Sequence, residues 1–308
     1  MRARLSLPLA LCTLVPLSLL AQARPKLLSV SNLSVYAADP IKAERFYVHD
    51  LGATKMPDPE HSDGARYYFN DTQFVEVLPL PQGEADPKNR LHSTGYNTAD
   101  VEAMRKYLAA QGFATPATST QDADGGRHFE VTDPEGNHVE FVQPPSRPAH
   151  VAAGPVSRHI IHVGIIVHNL EKEEAFYNNV LGFRPYWHGG KTEDSHEWTS
   201  AQVPDGMDWI EYMSVQGPET TGIPKAMSQD TAGVLNHFAL GVDNIEQAYN
   251  RLYERDGLSG KHSAPQLGRD GKWQLNLYDR DGVRAELMEF QPAEKPCCSP
   301  FLLPSPTK

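Results

Sequence analysis

From His159 to Phe183 the chain reads HIIHVGIIVHNLEKEEAFYNNVLGF, and its hydrophobic pattern changes period partway along. Through Val167, β-branched residues alternate, so His162, Gly164 and Ile166 are expected on one face of a strand and Ile161, Val163, Ile165 and Val167 on the other. One polar, metal-capable side chain thus interrupts an apolar strand. Past Asn169 the spacing becomes helical. Leu170, Ala175, Phe176, Val180 and Leu181 share a face, and Gly182 is placed to end the helix.

The same pattern occurs earlier. SVSNLSVYAADPIKAERFYVHDLGA, starting at Ser29, overlays this stretch without a gap at an offset of 130, matching Phe46-Tyr47 to Phe176-Tyr177 and Gly52 to Gly182. Each half continues with a second, related unit. VEAMRKYL from Val101 and IEQAYNRL from Ile245 read as helices following short strands. Both units end in similar alternating runs, FEVTDPEGNHVEFVQP and LNLYDRDGVRAELMEFQP, whose central Asp133-Pro-Glu-Gly and Asp279-Arg-Asp-Gly quartets are turn signals. Repetition of this kind predicts an α+β fold of four βαβββ units, near 27–80, 90–144, 158–216 and 233–291. Paired, they make domains over 27–145 and 158–292, joined by a Pro- and Gly-containing linker at 146–157 and followed by a disordered tail at 293–308.

Composition adds three constraints. Residues 1–23 combine Arg2 and Arg4, a Leu-rich run and small residues at Ala21 and Ala23, the layout of a cleaved export signal; a retained anchor fits less well because Pro8 and Pro16 interrupt a short run. A periplasmic or secreted location is therefore expected, with no membrane attachment after cleavage. Cleavage removes two arginines and no acid, moving the formal charge from −11 to −13. An acidic chain without a basic stripe argues against nucleic-acid binding. Cys297 and Cys298 are adjacent, where mutual bridging is strained, so no disulfide framework is expected and the pair reads as part of a passive tail, with metal binding or pairing between chains as alternatives.

The strand-helix pattern ending FYxxxLG, the DPxG-type hairpins and the two-unit build of each half resemble the vicinal oxygen chelate (VOC) superfamily, which includes glyoxalase I, bleomycin- and fosfomycin-resistance proteins and type I extradiol dioxygenases. The resemblance implies two eight-stranded cups, with metal ligands on the first, fourth, fifth and eighth strands of a cup. In the second half those positions fall on His162, Glu211, His237 and Glu286. Two imidazoles and two carboxylates suit Zn, Ni, Mn or Fe, leaving positions for adjacent oxygens of a small-molecule substrate. The implied reaction is a glyoxalase-like lyase or isomerase step, with Glu286 the first choice for proton transfer and Glu211 the second. His159, His168, His188 and His196 fall on no ligand position and read as loop or rim residues.

In the first half, Asn32 stands at the position of His162, Glu76 and Glu140 match the two carboxylates, and Ser93 takes the place of His237. His92, one residue away, is expected to face the other side of its strand. Two carboxylates without histidines make a poor transition-metal site, and this half reads as a degenerate, structural or substrate-shaping partner. Two other functions stay open for the protein. An extradiol ring-cleaving dioxygenase would hold Fe(II) on His162, His237 and Glu286, although Asn276 stands where that group has its catalytic Tyr. A non-catalytic binder would use Tyr186, Trp187, Trp198, Trp209 and Trp273 as an apolar pocket, residues that packing explains equally well. Homo-oligomer formation is also left open.

Overall fold

The computed structural model describes residues 23–83, 89–146, 151, 154–215 and 229–308. The expected export signal lies outside the described residues except for Ala23, as does much of the expected linker. No helix among the described residues is long and apolar enough to cross a membrane.

The repeat becomes two curled eight-stranded sheets. In the first, β1 (Leu27–Ala37), β2 (Thr54–Pro57), β3 (Ala65–Tyr68), β4 (Phe74–Pro79), β5 (Leu91–Thr98), β6 (Thr120–Gln121), β7 (Arg127–Thr132) and β8 (His138–Gln143) are ordered 2-3-4-1-5-8-7-6. The second sheet comprises β9 (Ile160–Val167), β10 (Arg184–Gly189), β11 (Trp198–Gln202), β12 (Trp209–Ser214), β13 (His237–Val242), β14 (Gln266–Leu267), β15 (Trp273–Tyr278) and β16 (Arg284–Glu289), in the same order. Each sheet is therefore two four-stranded units joined through their first strands, which run antiparallel at its centre.

Helices cover one face of each sheet. The helix expected after β9 is a short α3 (Leu170–Glu174), capped by the Asn169 side chain, that widens into a π turn over Ala175–Val180. Its relative α1 (Pro40–Glu44) is capped by Asp39 and widens over Arg45–Asp50. Gly52 and Gly182, at φ of 76° and 80°, end these turns in the left-handed region that glycine tolerates. The second units supply α2 (Val101–Ala110) and α5 (Ile245–Glu254), and α4 (Gln229–Leu235) precedes β13.

Both halves contribute to one core. Tyr47 stacks against Phe238 at 6.3 Å and its hydroxyl donates to Asp279 at 3.3 Å, while the Tyr107 hydroxyl donates to the Val180 carbonyl at 2.8 Å. Gln73 bonds both halves, donating to the carbonyls of Val30 (3.0 Å) and Ile160 (2.8 Å). Such satisfied polar contacts fix the halves relative to one another where burial alone would leave them free to slide.

One buried acid at this junction carries a pH prediction. Burial, then the charges of Asp133 and Glu135, push the Glu173 carboxyl up to about 9. The unfolded value is about 4.3, so folding takes up a proton across that interval and stability falls as pH rises through it, by at most about 1.4 kcal/mol per unit. Glu173→Gln should remove this contribution. Urea denaturation at about pH 6 and pH 8 should show a smaller loss of stability with pH than in the parent, and an identical loss would contradict the assignment.

The structure corrects three expectations. Strand β9 does not alternate throughout, because His162 pairs with Ala239 whereas Ile160 pairs with Leu240, leaving Ile161 as the extra residue of a β-bulge. Ile161 therefore joins the concave cluster with Trp209, Tyr186 and Met288, while Val163, Ile165 and Val167 belong to the core. The final segment, expected as a disordered tail, is docked. Leu302 donates its N–H to the Tyr186 carbonyl at 2.9 Å, Gln202 bonds the Pro304 carbonyl at 2.7 Å, and Phe301 packs 4.9 Å from the Tyr186 ring. Cys297 and Cys298, expected to stay unbridged, are disulfide-linked to each other within this segment.

Candidate metal centre

Strand pairing alone brings four side chains together. In the central strands of the second sheet, His237 lies opposite Gly164, Ala239 opposite His162, Glu211 beside Gly164 and Glu286 beside Ala239. His162, Glu211, His237 and Glu286 thus converge on the concave face, at positions the repeat and the family resemblance single out. The bulge at Ile161 immediately precedes His162 and sets its aim.

Nε2 of His162 lies 3.0 Å from Nε2 of His237, and these atoms are 3.5 and 3.6 Å from Oε2 of Glu286. Oε2 of Glu211 is 3.5 Å from the same His237 nitrogen. His162, His237 and Glu286 form a compact three-donor group with ligand atoms all within 4.8 Å of one another; Glu211 stands at its edge. Separations of 3.0–3.6 Å match the edges of a coordination polyhedron with bonds of about 2.1 Å.

The surroundings prepare these donors. His237 Nδ1 hydrogen-bonds the Leu235 carbonyl at 2.7 Å, so Nδ1 carries the proton and Nε2 turns its lone pair into the cluster. The His162 ring packs on Trp209 with centroids 4.6 Å apart, and its Nδ1 has no partner among the described residues. Burial foremost holds both imidazoles below their ordinary pKa, reinforced for His162 by His237 and for His237 by Arg284. Glu286 goes the other way: burial opposes its charge, but Arg284 and the His237 hydrogen bond hold it at about 2. Burial, then the Glu286 charge, raises Glu211 to about 8. Two neutral imidazoles beside an ionised carboxylate fit a divalent cation.

Gly164 is part of the site. A Cβ built there would lie 2.0 Å from Cε1 of His237, so the imidazole occupies the space that any other residue would fill. Sequence alone shows the glycine in a strand; only the pairing shows why it is needed.

The first sheet repeats the geometry with different chemistry. Asn32, Glu76, Ser93 and Glu140 take the four positions, Ser93 facing Ser34 as His237 faces Gly164. Asn32 donates to Glu140 at 3.0 Å. Arg66, reaching in from β3, donates to Glu76 at 2.9 Å and also pairs with Glu60. A tethered guanidinium thus occupies the acidic cup, and its counterpart across the repeat is Ser200, opposite Glu211. Sequence reading missed Arg66 because its role depends on the strand beside it. Asp58, His61 and Glu76, and separately Glu60, Asp122 and His128, also bring potential ligand atoms together, but Arg66 already pairs with Asp58, Glu60 and Glu76, and His128 with Glu60 and Asp122. His92 is corrected as well. The register skips it between Ser93 and Leu91, and this irregularity places it with Ser93 along the same cavity, where it contacts the Tyr36 hydroxyl at 3.1 Å.

A cavity of about 430 Å³ opens over Glu211 and Glu286, with Trp187 and Trp198 in its wall. Tyr186 and Trp209 lie buried behind it, and Trp273 is exposed on β15. Between Tyr186, Trp209 and Phe301 sits the fully buried Lys272 ammonium, 4.7 Å from the Trp209 ring centre. Larger cavities of 620 and 550 Å³ lie at the junction of the halves and in the first cup, away from the histidine pair. His159 bonds Asp208, His168 bonds Glu135, and His188 stacks on His196, all outside the cluster.

Residues 29–141 and 159–287 both match the family model described as the Glyoxalase/Bleomycin resistance protein/Dioxygenase superfamily. Among curated proteins, the mitochondrial methylmalonyl-CoA epimerase of Bos taurus is 32% identical over 143 residues, covering 45% of this chain and 79% of the relative. The lactoylglutathione lyase of Salmonella typhimurium is 26% identical over 141 residues, covering 44% and 94%. Among solved structures, homoprotocatechuate 2,3-dioxygenase from Arthrobacter globiformis superposes with a TM-score of 0.62 at 15% identity, over 86% of this chain and 80% of that one. The 2,3-dioxygenase LapB from Pseudomonas sp. KL28 gives 0.63 at 15% identity, over 89% and 97%. At such identities the structural likeness concerns the fold alone.

Proposed function

Because the chain belongs to the Glyoxalase/Bleomycin resistance protein/Dioxygenase superfamily, we propose that it is an exported metalloenzyme whose second cup holds one divalent cation and moves a proton on a small substrate with adjacent oxygens. His162, His237, Glu286 and Glu211 would hold the cation. Bound there, it supplies electrostatic stabilisation for negative charge growing on neighbouring oxygens.

Glu211 is the observation that carries this reading. It is a fourth donor 3.5 Å from His237 Nε2, it lines the open cavity, and its side chain keeps 15% exposure where that of Glu286 keeps 3%. Glu286 is occupied by the histidines and Arg284. The order expected from sequence therefore reverses, and Glu211 becomes the first choice for the proton-transferring group. Its carboxylate takes the proton from the hydroxyl-bearing carbon next to a carbonyl and returns it to the carbonyl carbon, while the hydroxyl proton passes to the former carbonyl oxygen, so the substrate isomerises with no net loss or gain of atoms.

A second reading, extradiol ring cleavage, is favoured by the compactness of the three-donor group, two histidines and one carboxylate. Against it, Asn276 accepts a hydrogen bond from Arg284 at 3.2 Å and offers no acidic proton. Glu211→Ala separates the two. Isomerisation of the methylglyoxal–thiol hemithioacetal, followed by NMR, should fall by about 10²-fold or more while the cation is retained. Retention of the cation with undiminished oxygen uptake on catechol would replace the proton-transfer reading with ring cleavage.

A further inference from the structure

We infer that Arg284 is a specificity-determining residue that selects substrates bearing an anionic group in addition to the chelating oxygens. The inference rests on the metal reading above. Three cations line the cavity, Lys191, Arg269 and Arg284, against three carboxylates, Glu211, Asp270 and Glu286. A divalent cation offsets Glu211 and Glu286, and the buried Lys272 ammonium offsets Asp270, on which it acts directly. The loaded cavity is left with a positive surplus.

Arg284 is the innermost part of that surplus. Its side chain is 11% exposed, its guanidinium lies 3.8 Å from Glu286 Oε2, and one edge donates to Asn276. Nε has no partner among the described residues, an arrangement that a buried donor ordinarily avoids. By contrast, Arg269 sits at the mouth and shares its charge with the exposed Glu193 at 3.2 Å. Once metal loading engages Glu286, the Arg284 guanidinium is free to meet an incoming carboxylate, the planar partner its fork geometry suits. Trp187, Trp198, Met213 and Leu235 form an apolar part of the wall, alongside the amides of Gln266 and Gln274. The substrate class is therefore a small carboxylate with an aromatic or branched body and a pair of adjacent oxygens.

The test uses the zinc-loaded mature chain and two chelators that differ in charge, 3,4-dihydroxybenzoate and 4-methylcatechol, with binding measured by calorimetry without oxygen. The carboxylate should bind at least about tenfold tighter. In zinc-saturated protein, Arg284→Gln should remove that preference, read as the ratio of the two affinities, and Arg284→Lys should restore part of it. Zinc in place with no preference for the carboxylate overturns the inference and leaves the metal reading standing. A preference that survives Arg284→Gln in a zinc-loaded protein overturns the assignment to Arg284. Failure of the parent chain to take up zinc overturns the metal reading first and this inference with it.

Discussion

His237→Ala is expected to empty the centre. Its Nε2 is the hub of the cluster, 3.0 Å from His162, 3.6 Å from Glu286 and 3.5 Å from Glu211, so removing it takes one donor and the atom that the other three share. Metal content after reconstitution should drop from about one per chain to near zero, with affinity falling by two orders of magnitude or more. The loss should be specific to the centre. His237 lies on a strand bonded on both sides, and its backbone pairs with Gly164 and Arg284 whatever side chain it carries. Circular dichroism should therefore report an intact fold, and a variant that keeps its metal at unchanged affinity would remove His237 from the ligand set.

The second large effect is indirect. Gly164→Ala touches no donor atom, yet its new Cβ would lie 2.0 Å from Cε1 and 2.3 Å from Nδ1 of His237. Ring and methyl cannot coexist, and the ring cannot retreat without breaking the hydrogen bond from Nδ1 to the Leu235 carbonyl that fixes its orientation. Overpacking of this kind costs about 1–3 kcal/mol in fold stability. Displacing a ligand whose outer hydrogen bond is lost costs about 10–100-fold in metal affinity. A chelator competition titration reads the second effect and a thermal melt of the metal-free protein reads the first. Unchanged affinity would mean that the imidazole does not bind from this position. The first cup supplies a natural control, since Ser34 stands at the equivalent place opposite the small Ser93 and its hydroxyl accepts a hydrogen bond from Asn32.

How much of this was legible beforehand depended on the kind of information each feature uses. The constant offset between Asn32 and His162 announced two copies of one fold, and the four-unit reading is what the two sheets display, because hydrophobic period and turn residues are local signals. Convergence of His162, Glu211, His237 and Glu286 was legible through family resemblance, which stores a pairing pattern that periodicity cannot express. What failed was set by neighbours. Ile161 changes face because β13 fixes the register of β9, and His92 joins the cavity through a similar irregularity between β1 and β5. Arg66 enters the first cup and pairs with Glu76 by reaching across from an adjacent strand. Residues 293–308 have no periodicity to read, and their order comes from distant partners such as Tyr186, Gln202 and His188. Nor does sequence foretell the Cys297–Cys298 bridge, which lies in a segment where the Cys297 backbone bonds Trp187 and Arg269.

The asymmetry of the two cups is the central claim, and it has a direct measurement. One sheet presents two imidazoles and two carboxylates, whereas its copy presents Asn32, Ser93 and two carboxylates with a guanidinium bound among them. Elemental analysis of the chain after reconstitution and removal of loosely bound ions should give about one divalent metal per chain, and His162→Ala should lose it. No metal in the parent chain, or two per chain with one surviving His162→Ala, would contradict the account.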